Sequence, residues 1–105
     1  MSEETRETIQ RLAAQLQNIM QQVQTVETQM REIETTLGAL QSQDPDRPVY
    51  RQVGPLLLEV DDRSALKKEL EQSKITLDEH LGRIQGTEKE LRVAYESAVK
   101  TFEAQ

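Results

Sequence analysis

Pro48-Val-Tyr-Arg-Gln-Val-Gly-Pro-Leu-Leu-Leu-Glu-Val60 is the stretch on which the fold turns. Val49 to Val53 alternates apolar and polar residues, Val and Tyr favour extended backbone, and Gly54-Pro55 punctuates the run. Leu56 to Val60 follows as an apolar segment closed by Asp61 and Asp62. The pattern predicts two short antiparallel strands joined by a tight turn. An isolated hairpin of this size is marginal in water, and three consecutive leucines put apolar side chains on both of its faces. It needs further strands beside it and a cover over one face, and no other part of the chain carries a strand pattern. Pro55 cannot donate to a ladder and fits a turn or an edge.

On the N-terminal side of this insert, Ile9, Leu12, Leu16, Ile19, Val23, Val26, Met30, Ile33, Leu37 and Leu40 recur at alternating steps of three and four. That is the period of a coiled coil, and so narrow a seam calls for one or two partner helices. Ser2, followed by Glu3 and Glu4, is a cap with acids set against the helix dipole. Asp44-Pro45 and Arg47-Pro48 remove backbone donors and end the helix, which is expected over 3–43 and is roughly 55 Å long.

On the C-terminal side, Asp61, Asp62 or Ser64 can cap a second helix expected over 63–103. Its stripe is Leu66, Leu70, Leu77, Leu81, Ile84, Leu91, Tyr95, Ala98 and Phe102, loosened at seam positions by Lys74 and Glu88. The fold class is therefore mainly α: an antiparallel two-helix coiled coil with a β-hairpin (48–61) inserted between the helices. Facing residue numbers should sum to about 106, which places Ile9 and Leu12 opposite Ala94 to Ala98.

Near the free helix ends, Leu91, Ala94, Tyr95, Ala98, Val99 and Phe102 cover a broader arc than a two-helix seam needs, and Val93 faces away from it. This is either a wide seam packing on another subunit or an exposed grip for other proteins. Gly82 and Gly86 lie on the side opposite Ile84, where each costs about 1 kcal/mol relative to Ala. They read as a tolerant surface or as a deliberately compliant segment.

Composition narrows the function further. The 105 residues make one domain at most, with one Phe, two Tyr and no Trp, too little for a large autonomous core, so oligomerisation is expected. A net charge of −6 disfavours nonspecific nucleic-acid binding and adsorption to anionic membranes. No apolar stretch is long enough to cross a bilayer, and no signal-peptide core follows Met1. The absence of cysteine fits a reducing cytosol and equally a secreted coiled coil; a cytoplasmic location is expected. Neither Asp78 nor Glu79 converges with the lone His80 on one face, so no metal site is expected. There is no phosphate loop, nucleophile elbow or paired-acid constellation, hence no enzyme, no catalytic residue and no cofactor are expected.

The insert from Pro48 to Val60, followed by Asp-Asp-Arg-Ser-Ala-Leu-Lys-Lys-Glu-Leu70, resembles the β-class prefoldin subunits, especially the branch like subunit 6. The resemblance covers nearly the whole chain as a single domain, 1–105, and departs from the family at Gln52, where an aliphatic residue is frequent. It implies a hexamer of two α-class and four β-class subunits, shaped like a jellyfish, whose inserts join in an intersubunit β-barrel. It also implies an ATP-independent holdase that captures nonnative proteins at the coiled-coil tips and passes them to a group II chaperonin. On that reading Ile9, Leu12, Leu16, Tyr95, Val99 and Phe102 are client contacts, and Val49, Tyr50, Val53, Leu56, Leu57, Leu58 and Val60 are assembly contacts. The competing reading is a structural coiled-coil scaffold or tether without chaperone activity.

Overall fold

The computed structural model describes residues 2–105. The chain is mainly helical: α1 spans Glu3–Ser42, β1 Tyr50–Val53, β2 Leu56–Glu59 and α2 Arg63–Ala104. Both helices are capped by side chains. Ser2 Oγ accepts from Thr5 N at 3.1 Å, and Asp62 Oδ1 accepts from Ala65 N at 3.0 Å. Of the three residues able to cap α2, Asp62 is the one that does.

Two compact units are present. The first combines residues up to 28 with 79–105 and holds the residues buried most deeply, Ile19, Val23, Val26 and Ile84. Leu12, Leu16, Leu81, Leu91, Tyr95, Ala98 and Phe102 are half-buried. This is what a two-helix seam yields, because solvent flanks the line of contact on both sides. The two helix ends are tied together by Gln105. Its Oε1 accepts from Ser2 N at 3.3 Å, and its Nε2 donates to Thr5 Oγ1 at 3.4 Å. Glu88, a charged residue in the stripe of α2, pairs with Arg92 one turn on at 2.8 Å.

The second unit, residues 29–78, contains the hairpin and the helix segments flanking it. Ile33 lies beside Ser73, Thr76 and Leu77, and Leu37 and Leu40 lie beside Ser64 and Lys67. Lys74 Nζ reaches Glu34 Oε1 at 3.4 Å, so this seam lysine links the two helices directly. Between them, β1 and β2 pair antiparallel with Tyr50 opposite Glu59, Arg51 opposite Leu58, Gln52 opposite Leu57 and Val53 opposite Leu56. The turn is two residues long and has Gly54 at φ 58°, a left-handed conformation that a side chain would strain. Glycine at the first central position is the signature of a II′ hairpin turn, whose twist matches that of the strands.

Candidate functional site

The hairpin register sorts the insert into two faces. Val49, Arg51, Val53, Leu56, Leu58 and Val60 share one, while Tyr50, Gln52, Leu57 and Glu59 share the other. The first is apolar except for Arg51, so the three successive leucines are divided unequally between the faces. Every residue of both strands is exposed, Leu57 at 70% and Tyr50 at 56%, while Val49 and Val60 at the base are half-buried. Most of the large apolar side chains left exposed in the described residues belong to this insert; Met20, Ile75 and Val93 on the helices are the others.

The backbone of the hairpin is also half-unpaired. Val60 N donates to Val49 O at 2.7 Å, which makes that pair a hydrogen-bonded one. Because bonded and non-bonded pairs alternate, the amides and carbonyls of Arg51, Val53, Leu56 and Leu58 point inward. Those of Tyr50 and Gln52 on β1, and of Leu57 and Glu59 on β2, point outward. Two open edges and an apolar face together make a surface suited to receiving further strands.

At the free helix ends, Ile9, Val99 and Phe102 line one groove with Arg6, Gln10 and Glu103. Leu12, Leu16 and Tyr95 do not line it, although they too are half-buried. A sum of 106 places residue 97 opposite Ile9, whereas the groove sets Val99 and Phe102 beside it, further toward the C-terminus. Gln105 lies level with Ser2 and Thr5, in keeping with that offset. The aliphatic residues of the groove are half-buried and its rim carries one charge of each sign.

Three polar contacts around the insert escaped the sequence reading. Arg51 Nη1 pairs with Glu69 Oε2 at 3.5 Å, Glu34 pairs with Lys74, and Arg63 donates to the carbonyls of Asp44 and Arg47. Two of them had a signal: Lys74 is a cation at a seam position, and Arg63 is a cation at the wrong end of a helix for the dipole.

A family model described as prefoldin subunit matches residues 3–104. The chain belongs to the prefoldin family. It is similar in fold to the crystal structure of the prefoldin beta subunit from Thermococcus strain KS-1, with a TM-score of 0.81 and 23% identity over 98% of this chain and 92% of that one. It is also similar to the prefoldin beta2 subunit from the same strain, with a TM-score of 0.72 and 26% identity over 88% of this chain and 94% of that one. No curated protein matches the chain. Two long helices with one short hairpin between them are the prefoldin β-class fold, and the chain is a prefoldin-type chaperone subunit. Prefoldin is a non-enzymatic chaperone family whose subunits form hetero-oligomers with one another.

Proposed function

We propose that this prefoldin subunit is an ATP-independent holdase. It assembles through its hairpin with α-class and other β-class subunits into a cytoplasmic α2β4 hexamer, captures nonnative proteins at the helix ends, and passes them to a group II chaperonin. The observation that carries the reading is the fully exposed hairpin, whose apolar side chains and open edges demand neighbouring strands. Val49, Tyr50, Val53, Leu56, Leu57, Leu58 and Val60 make those intersubunit contacts, and assembly sets several sets of helix ends side by side.

Each set of ends binds weakly. At about 25 cal/mol per Å², an apolar patch of a few hundred Å² supports only modest affinity. Several ends engaging one unfolded chain raise the avidity by roughly two to four orders of magnitude, and release proceeds contact by contact without nucleotide. Ile9, Val99 and Phe102 form the groove at each end, with Leu12, Leu16 and Tyr95 following along the seam.

The test is light scattering of a chemically denatured protein diluted into buffer, with this chain plus an α-class prefoldin subunit and without ATP. Delayed aggregation supports the holdase. Unchanged aggregation by an assembly of full mass would leave a scaffold or tether as the function.

A further inference from the structure

What aims the hairpin is a separate matter from what it binds. No strand residue is buried, so beyond half-buried Val49 and Val60 at its base and the exposed Arg51–Glu69 ion pair, little fixes its direction relative to the helices from which it emerges. The attachments are polar. Asp44 and Arg47 form the turn leading out of α1, closed by Arg47 N donating to Asp44 O at 3.0 Å and by Asp46 N donating to Asp44 Oδ1 at 2.9 Å. Gln43 Nε2 donates to Pro48 O at 3.3 Å, just before β1. From the other side comes Arg63, the first residue of α2, whose Nη2 donates to both Arg47 O and Asp44 O, the latter at 3.3 Å. One guanidinium thus spans the whole connecting turn.

Arg63 is a poor choice for the helix it opens. A cation in the first turn opposes the helix dipole, which the Asp62 carboxylate at the N-cap complements through Ala65 N. The last turn of α1, where a cation would be favourable, has no basic residue of its own. Arg63 instead pins the turn just beyond that end. A residue that contradicts its local element while completing a contact elsewhere is the mark of a positional role.

We infer that Arg63 is a positioning residue for assembly. It holds the 44–47 turn so that the hairpin leaves the helices in one direction, ready to pair with strands of neighbouring subunits. This inference rests on the proposed assembly role of the hairpin. Holding the hairpin beforehand lowers the ordering entropy that strand pairing would otherwise cost.

The experiment uses the full chain with spin labels at Gln52→Cys and Gln72→Cys, both exposed positions in a protein without cysteine of its own. In Arg63→Ala the label-to-label distance distribution should widen about twofold, and half-assembly with an α-class prefoldin subunit should need roughly tenfold more protein, while far-UV circular dichroism stays unchanged. Arg63→Lys keeps the charge but not the planar fork, and should fall between the two; it carries the test if the alanine variant loses helix. An unchanged distribution in a folded variant, or widening matched by helix loss in both variants, overturns the inference. Leu57→Asp serves as the second arm. If it leaves assembly intact, the hairpin reading fails; if it blocks assembly while Arg63→Ala assembles normally, only the role of Arg63 fails.

Discussion

Gly54, Gly82 and Gly86 show how differently one residue type is used within a single chain. Gly54 turns the hairpin at φ 58°, and alanine there would strain the backbone by about 1 kcal/mol. Gly82 and Gly86 lie inside α2, and a Cβ added at either would meet nothing within 4 Å. They serve no close approach within this chain. The double substitution Gly82→Ala with Gly86→Ala is therefore expected to stabilise α2 by about 1 kcal/mol per site. It should raise the melting temperature and slow amide exchange across the middle of the helix. Unchanged exchange there would end the idea that these glycines make the segment compliant.

Among the elements, both helices carry side-chain N-caps and the hairpin does not stand alone. Asp62→Ala removes the cap on the first turn of α2 and is expected to cost about 1 kcal/mol, read as a lower urea midpoint. The hairpin edges allow a sharper contrast. Methylating the backbone nitrogen of Leu57 removes an outward donor and leaves the internal ladder in place, so the chain should keep its fold but assemble more weakly. The same methyl on Leu58 breaks an inward bond and should disrupt the hairpin itself. Equal assembly by the Leu57-methylated and unmodified chains, measured by sedimentation, would show that β2 is not a pairing edge. The sequence marked these strands and their turn through Val, Tyr, Gly54 and Pro55. It could not reveal which face would be the more apolar, since that depends on the register that sets Val53 against Leu56.

For the whole molecule, surface area makes the case for partners. The chain exposes 8008 Å², where a folded monomer of 12.1 kDa exposes about 6,000 Å². Only Ile19, Val23, Val26 and Ile84 are buried apolar residues among those described. Five of the eight large apolar side chains left exposed in the described residues belong to the hairpin, while the groove at the helix ends is lined by half-buried Ile9, Val99 and Phe102. Ile9→Ser combined with Phe102→Ser should therefore leave assembly mass unchanged and reduce suppression of client aggregation several-fold, because avidity multiplies a small loss at every end. Full suppression by that variant would locate client binding elsewhere on the subunit.

Heptad spacing from Ile9 to Leu40, the proline breaks at 45 and 48, and the strand pattern before Gly54-Pro55 were enough to define helix, hairpin and helix, because each depends on period and backbone preference alone. The resemblance of residues 48–70 to prefoldin supplied the family for the same local reason. Tertiary structure decided the rest: that Gln105 reaches Ser2 and Thr5, that Phe102 and Val99 share a groove with Ile9 while Tyr95 does not, and that Arg63 reaches back to Asp44 and Arg47. Those contacts join residues far apart in sequence, and no periodicity encodes a distance between side chains that only folding brings together.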